Sequence, residues 1–257
     1  MKIASWNVNS LNVRLPHLQR WLQEAAPDVV GLQETKLEDH RFPDAALAEL
    51  GYRSVFHGQK TYNGVAILAR QAPQAVQIGI PGFADTQARA IAATVGELRI
   101  VDLYVVNGQD VGSEKYAYKL RWLDAVHDWL ADELKTYPNL VVLGDFNIAP
   151  DDRDVHDPQL WNADHILTSS AERAALQRLL ALGLHDGLRL HTQEGGLFSW
   201  WDYRQAAFRR NLGLRIDLTL VSDALRPHVQ AAGIDTTPRS WERASDHAPA
   251  YVVLRTA

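Results

Sequence analysis

The sequence predicts an α/β protein of the α+β type: a four-layer sandwich of two packed, mostly antiparallel β-sheets with helices outside. Three observations support this fold. Short apolar runs alternate with helical patterns along the chain, and many neighbouring runs have no long helix between them. No repeat, low-complexity tract or linker interrupts the pattern. Because parallel strands need long crossover connections, a purely parallel sheet is excluded.

The opening run has the period-two alternation of a strand, which places Asn7 and Asn9 on one face. Seven further apolar runs predict strands at residues 29–34, 64–69, 89–95, 98–105, 140–146, 214–221 and 250–254. Leucines at helical spacing predict three helices. One contains Leu15 and Leu22 and ends before Pro27, and the others lie within residues 115–137 and 171–184.

Length and composition favour one domain. The chain has 257 residues, of which 46% are hydrophobic, so it can bury one large core, and we expect a single domain over residues 1–257. The start lacks the apolar segment of a secretion signal, and no stretch approaches the roughly 18 apolar residues of a membrane span. We therefore expect a soluble, cytoplasmic protein without membrane partners, acting as a monomer.

The absence of cysteine limits the kind of metal site. A bound metal must be held by oxygen ligands or histidine, which favours Mg²⁺ or Mn²⁺ over structural zinc. The formal net charge of -5 argues against non-specific coating of nucleic acid, because that binding depends on neutralising phosphates. A DNA enzyme with acidic metal ligands and a local basic stripe is still compatible. A candidate stripe, which a solvated charged surface explains equally well, is Arg204, Arg209, Arg210 and Arg215.

Polar side chains stand at or just beyond the ends of five predicted strands. They are Asn7, Glu34, Asp145 with Asn147, Asp217, and Asp246 with His247. A strand end is rigid and faces a sheet edge, so carboxylates from several strands can converge on one cation. Each residue alone has an ordinary alternative, such as a turn former or a salt-bridge partner.

Three of these positions carry a physical argument of their own. Alternation places Glu34 on an apolar face, where a carboxylate needs a cation or a salt bridge. In LVVLGDFN, Asp145 and Asn147 continue an apolar face if the chain stays extended, and Gly144 allows a close backbone approach. Asp217 interrupts an apolar strand, and a buried carboxylate is a common way to orient a histidine and stabilise its charge. Asp217 is therefore the candidate partner of His247.

Seven segments follow one another in a familiar order: IASWNVNSLNVR, GLQETK, YVVNG, LGDFNIAP, FSWWDYR, LGLRIDL and SDHAP. With these segments the chain resembles the exonuclease III and AP endonuclease family of the endonuclease/exonuclease/phosphatase fold. Each segment alone is weak evidence. The seven in register span almost the whole chain and are highly specific.

The resemblance implies a Mg²⁺- or Mn²⁺-dependent nuclease of DNA repair. Its substrate would be double-stranded DNA with an abasic site or a blocked 3′ end, hydrolysed as AP endonuclease, 3′-phosphatase or 3′-5′ exonuclease. Glu34 would be the principal metal ligand, with Asn7 and Asp246 also at the metal. Further candidate ligands are Asp145, Asn147 and His247.

The resemblance also implies catalytic roles. Asp145 would orient or deprotonate the attacking water, Asn147 would hold the water or the phosphate, and Tyr104 would contact the scissile phosphate. His247, oriented by Asp217, would donate a hydrogen bond to a phosphate oxygen or transfer a proton. The assignment of general base and general acid stays open at this point.

Substrate contacts are expected beside these groups. Trp200, Leu214 and Ile216 match positions that form an apolar pocket for a base-free deoxyribose in relatives, although all three also fit a plain core. Arg204 suits a contact with the DNA backbone. Residues 151–170 align least well, and we expect them to form a loop near the DNA that tunes which lesion is accepted.

Two other functions fit the same fold. Hydrolysis of inositol phosphates or phospholipids is one, but WNVNS, GLQETK and WWDYR point to the DNA branch. A non-catalytic DNA-binding homologue is the other, because fold alone does not imply function. The matched acids, amides, phenol and imidazole are all present, whereas a decayed site should have lost at least one.

Overall fold

The computed structural model describes residues 1–255, which form two six-stranded sheets packed face to face with helices on their outer faces. In chain order the strands are β1 (Lys2–Asn7), β2 (Val29–Gln33), β3 (Arg53–His57), β4 (Val65–Ala69), β5 (Gln74–Ile78), β6 (Ala90–Val95), β7 (Leu98–Tyr104), β8 (Leu140–Asp145), β9 (Leu184–Asp186), β10 (Trp200–Trp201), β11 (Gly213–Leu214), β12 (Asp217–Ser222), β13 (Val229–Ile234) and β14 (Ala250–Leu254).

The strand order confirms two mostly antiparallel sheets. The first sheet has the order β13-β14-β1-β2-β4-β3, with β1 and β2 parallel and the other neighbours antiparallel. The second has the order β5-β6-β7-β8-β12-β9, with β7 and β8 as its parallel pair. A two-stranded ribbon of β10 and β11 lies beside them. Both parallel pairs stand at the centre of their sheets.

The helices cover both outer faces and complete four layers. They are α1 (Leu11–Ala25), α2 (Asp44–Glu49), α3 (Glu114–Thr136) and α4 (Ser170–Leu180). The short helix α5 (Gly187–His191) instead lies against β12 and β13, with Leu188 in the core between the sheets. The three helices expected from leucine spacing correspond to α1, α3 and α4. In the part of the chain that the structure describes, no helix combines the length and the apolar character needed to cross a membrane.

Period-two alternation explains how both faces of each sheet are buried. On β1, Ile3 faces the apolar layer between the sheets, while Trp6 packs under α1. On β8, Val141 lies between the sheets, and Val142 packs under α3. Each of these two central strands therefore contributes to two cores, and its sequence appears as a largely apolar run.

Two predicted strands differ from the expectation, one by a break within it and the other by its last residue. The run 214–221 is not one strand, because the chain breaks between β11 and β12. There the Arg215 amide donates to the Asp154 carbonyl, and the Ile216 and Asp217 amides both donate to Ser199 Oγ. The second difference is at Glu34, which lies after β2 with a φ of 51°. It therefore does not continue the strand face.

Candidate active site

The ends of several strands meet at one end of the sandwich and bring the predicted polar residues together. Tyr104 and Asp145 are the paired last residues of the parallel strands β7 and β8. Asp217 opens β12 in register with Asp145. From the first sheet, β1 ends at Asn7, and Glu34 follows β2 directly. The site thus lies where the two sheets meet.

Asn7 joins the carboxylates of the two sheets. Its Nδ2 donates to Glu34 Oε1 at 2.9 Å and to Asp145 Oδ2 at 2.9 Å. Its Oδ1 accepts from the Asn9 amide at 3.0 Å. The amide nitrogen, rather than the oxygen expected of a metal ligand, therefore faces the carboxylates in this structure.

The turn after β8 places Asp145 and Asn147 without extending the strand. Gly144 has a φ of 148°, and a Cβ there would lie 1.9 Å from the Leu103 carbonyl oxygen, so glycine is required. Asn147 has a left-handed φ of 48°, and its amide donates to Asp145 Oδ1 at 3.0 Å. The expected extended chain is wrong here, but the turn keeps both side chains at the site.

Asp217 holds His247, as the sequence predicts. Asp217 Oδ2 lies 2.8 Å from His247 Nδ1, and both side chains are buried. Burial disfavours the imidazolium, but the charges of Asp217 and then Asp145 outweigh it and raise the pKa of His247 to about 10. His247 is thus a charged donor at neutral pH, with its Nε2 3.7 Å from Asp145 Oδ2.

Asp145 and Tyr104 have shifted pKa values at the centre of the site. Burial raises the pKa of Asp145 to about 7, although the charge on His247 opposes this rise. Burial also raises the pKa of Tyr104 well above its ordinary value, and the nearby carboxylates of Glu34 and Asp145 add to this. Tyr104 therefore keeps its phenolic proton as a hydrogen-bond donor, and its ring stacks under the Arg89 guanidinium at 4.8 Å.

Asp246 lies beside this group rather than within it. Its Oδ1 accepts from Asn9 Nδ2 and its Oδ2 accepts from Trp200 Nε1, each at 3.0 Å. Both carboxylate oxygens are thereby oriented by the protein. Metal ligation by Asp246 stays a prediction.

The structure adds residues that the sequence interpretation missed. Asn9 connects Asp246 to Lys36, whose Nζ donates to Asn9 Oδ1 at 2.9 Å and lies 3.3 Å from Glu34 Oε2. Asn107 Nδ2 donates to Asn147 Oδ1 at 3.3 Å. Both asparagines stand in the segments that carry the resemblance, next to predicted site residues. Their position beside predicted site residues in these segments was the sequence feature that could have identified Asn9 and Asn107.

The side chains fit a hard divalent cation. One ligand atom each of Glu34, Asp145 and His247 lie within 4.8 Å of one another. His247 Nδ1 lies 2.8 Å from Asp217 Oδ2, and its Nε2 is the ring nitrogen that lies 3.7 Å from Asp145 Oδ2. The carboxylate oxygens of Glu34 and Asp145 are the available donors, and oxygen ligands suit Mg²⁺ or Mn²⁺. Metal ligation by His247 stays a prediction, as it does for Asp246.

The predicted arginine stripe is wrong in one member. Arg215 is buried and lies 2.6 Å from Asp154 and 2.7 Å from Asp186, so it stabilises the interior rather than contacting a ligand. Arg204, Arg209 and Arg210 are exposed. Arg204 forms a two-point ion pair with its neighbour Asp202. The exposed part of the stripe stays a candidate backbone contact.

The expected apolar pocket residues lie together but are covered. Leu214 and Ile216 are 0% and 2% exposed, in a cluster with Val155 and Leu167 from the 151–170 segment. Val155 forms an isolated bridge with Leu214, and Trp200 packs against the cluster from the side. Protein side chains therefore already fill the space between these residues.

Comparisons with known proteins agree with this geometry. A sequence model of the Endonuclease/Exonuclease/phosphatase family matches residues 4–247. Exodeoxyribonuclease III of Haemophilus influenzae is 35% identical, with 99% of this chain and 100% of that protein covered. A 3′ phosphatase, NExo, from Neisseria, solved with a product DNA hairpin, has a TM-score of 0.98 at 48% identity, with both chains fully covered. An AP endonuclease from Archaeoglobus fulgidus has a TM-score of 0.96 at 36% identity, again over 100% of both chains. The chain belongs to the endonuclease/exonuclease/phosphatase family.

Proposed function

We propose that this protein is a single-domain, divalent-metal-dependent DNA repair nuclease that hydrolyses phosphate esters at 3′ ends of double-stranded DNA. The observation that carries the proposal is the junction of both sheets, where Asn7 joins Glu34 to Asp145 beside the Asp217–His247 pair. This set offers anionic oxygens for a cation and charged donors for a phosphate. The relatives act on DNA according to their names.

Hydrolysis of a phosphodiester needs charge neutralisation, because the ester repels an anionic nucleophile. A cation held by Glu34 and Asp145 would supply electrostatic stabilisation of the phosphate when bound. The protonated His247 and the Tyr104 phenol donate hydrogen bonds where charge develops on the phosphate oxygens. The Asn147 amide offers a further contact for water or phosphate.

Asp145 is our candidate acceptor for the proton of the attacking water. Its raised pKa of about 7 makes it a better base than an ordinary carboxylate at neutral pH. The Asn7 and Asn147 donors fix the direction of its two oxygens. His247, held by Asp217, can donate its proton to the leaving oxygen.

A cavity beside the site offers positive charge for a phosphate backbone. A cavity of about 570 Å³ adjoins Asn107 and is lined by polar side chains that include Arg89 and Lys115. Two cations with surrounding amides suit a run of backbone phosphates.

The covered apolar cluster favours processing of 3′ ends. A base-free sugar flipped from an unbroken strand needs an open pocket, and Leu214 and Ile216 are almost fully buried under Val155 and Leu167. The likeness to the 3′ phosphatase points the same way. Incision at abasic sites is the second candidate, which the likeness to the archaeal AP endonuclease supports.

The test compares initial rates on matched duplexes that carry a 3′ phosphate, an internal abasic site or an unmodified 3′ end. We expect the fastest reaction at the 3′ phosphate, loss of all reactions in excess EDTA, and recovery with Mg²⁺ or Mn²⁺. A faster reaction at the internal abasic site would favour the second candidate. Full activity in a verified metal-free preparation would contradict the cation.

A further inference from the structure

Lys119 is a fully buried cation directly under the candidate active site. It belongs to α3, and 0% of it is exposed. Its Nζ donates to the Asn147 carbonyl at 2.7 Å, to the Asn107 carbonyl at 3.1 Å, and to the Glu172 carboxylate. All three donors of the ammonium group are therefore used, and two of them reach the loops that carry site side chains.

Glu172 fixes the other end of this contact. It is also fully buried and belongs to the capping box of α4, where its Oε2 accepts from the Ser169 amide at 3.1 Å and from Ser169 Oγ at 2.6 Å. Its Oε1 also accepts from the Leu167 amide at 3.2 Å. Lys119 is thus held from below by a rigid helix start, and its remaining donors are directed at the two loops.

The backbone of Asn147 needs such a contact. Its left-handed φ of 48° turns the chain out of β8, and the following carbonyl points into the protein. Among residues 1–255, no backbone N–H donates to that carbonyl oxygen. The Asn147 side chain is held by Val105 and Asn107, so its position depends on both loops keeping their spacing. Lys119 bonds to both loops at once.

We infer that Lys119 is a positioning residue that holds Asn147 and Asn107 where the scissile phosphate binds. The inference rests on the proposed hydrolysis of DNA phosphate esters. A charge pair that served stability alone would need Glu172 but not the two loop carbonyls. Buried ion pairs are moreover often replaceable by neutral residues without loss of stability, so stability alone gives no reason for a lysine here.

The decisive variant removes both charges and leaves the shape. Lys119→Met/Glu172→Gln deletes the ammonium without leaving a buried carboxylate unpaired, whereas Lys119→Met alone does leave it unpaired and should be the less stable protein. We expect the double variant to regain the thermal stability lost in the single one. On a 3′-phosphate duplex we expect its kcat to stay about 10²-fold below the wild type, because small misplacements of a contact group are costly, with KM changed less than threefold.

A matched control lies at the other end of the same helix. Arg99 on β7 is also buried, lies 2.6 Å from Glu133 of α3, and donates to the Ala75 carbonyl at 2.6 Å. Arg99→Met/Glu133→Gln should change stability to a similar extent while kcat stays within about threefold of the wild type. In an Asn147→Ala background, Lys119→Met/Glu172→Gln should cost little further activity, because the two act through one group.

A second readout does not depend on turnover. The side-chain amide signals of Asn147 in NMR should move in the Lys119→Met/Glu172→Gln protein and stay in place in the Arg99→Met/Glu133→Gln protein. If stability and kcat recover together in the double variant, Lys119 is structural and the inference is wrong. If the amide signals move while the wild type hydrolyses none of the duplexes, Lys119 still positions the Asn147 side chain, but the proposed function and the role of that position in phosphate binding are both wrong.

Discussion

Besides the buried Lys119–Glu172 pair, two clusters of buried or half-buried charged side chains in residues 1–255 differ in charge balance. The arginine cluster pairs two carboxylates with two guanidinium groups and consists of Asp154, Asp186, Arg189 and Arg215. The site cluster sets three carboxylates against one imidazole and consists of Glu34, Asp145, Asp217 and His247. At its rim, Lys36 contacts Glu34.

The difference separates a structural role from a functional one. In the arginine cluster each carboxylate binds a guanidinium group, which offsets part of the cost of burial. In the site cluster, the buried Asp217 Oδ1 has no hydrogen-bond partner among the described residues. Asp145 is attracted by His247 but repelled by Asp217 and Glu34. Excess buried negative charge costs stability, and perturbed carboxylates of this kind are typical of functional sites.

The largest expected effect comes from neutralising the site cluster. Asp145→Asn should lower kcat by about 10³-fold or more, because the water loses its proton acceptor. The free energy of unfolding should stay the same or rise, since a buried carboxylate has been removed. Steady-state rates and urea denaturation of the same preparation measure both.

Glu34→Ala provides the contrast for this prediction. It removes an oxygen ligand rather than the proton acceptor, so raised Mg²⁺ should restore part of its activity but none of that of Asp145→Asn. An equal response of the two variants to Mg²⁺ would show that the division of roles between Glu34 and Asp145 is wrong.

A substitution in the arginine cluster should lower stability and leave kcat nearly unchanged, the opposite of the result expected for Asp145→Asn. Arg215→Met leaves the Asp154 and Asp186 carboxylates short of a partner, so the free energy of unfolding should fall by about 3–5 kcal/mol. The kcat of the folded fraction should change less than about threefold, since Arg215 is buried away from solvent. Exposed Arg209→Met is the control for stability. If Arg215→Met lost activity without losing stability, the prediction that Arg215 contacts DNA would be favoured again.

The smallest effect concerns the one favourable pair of the site cluster. Asp217→Asn should lower the pKa of His247, which the Asp217 charge helps to raise to about 10. Because this pKa is above the ordinary 6.5, the pair's contribution to stability is full below pH 6.5 and disappears as the pH rises to about 10. The variant should lose this pH dependence in part.

The measurement is the NMR titration of the His247 ring in both proteins, with urea denaturation at pH 6 and pH 9. An unchanged titration would mean that the two side chains are not coupled. In that case His247 would offset less of the negative charge of the site cluster than the structure indicates.

Much of the fold could be predicted because most central strands are buried on both faces and appear as apolar runs. Helices α2 and α5 and strands β3, β5, β9, β10 and β13 were missed, since short or half-exposed elements give weak patterns. The predicted site residues lie close together, because a polar side chain at the end of a buried strand has few places to lie other than the edge where the strands end. Lys119 and Arg215 could not be assigned, because nothing in a helix or strand pattern distinguishes a buried cation from an exposed one.

The first sheet has a consequence for the protein's synthesis. β14 pairs with β1, and the Ser245 hydroxyl donates to the Asn7 carbonyl at 2.6 Å across 238 residues of sequence. A nascent chain on the ribosome therefore carries Asn7, Glu34 and Asp145 long before it carries His247. The constellation of side chains is completed only after β14 has emerged and paired with β1, because His247 stands just before that strand.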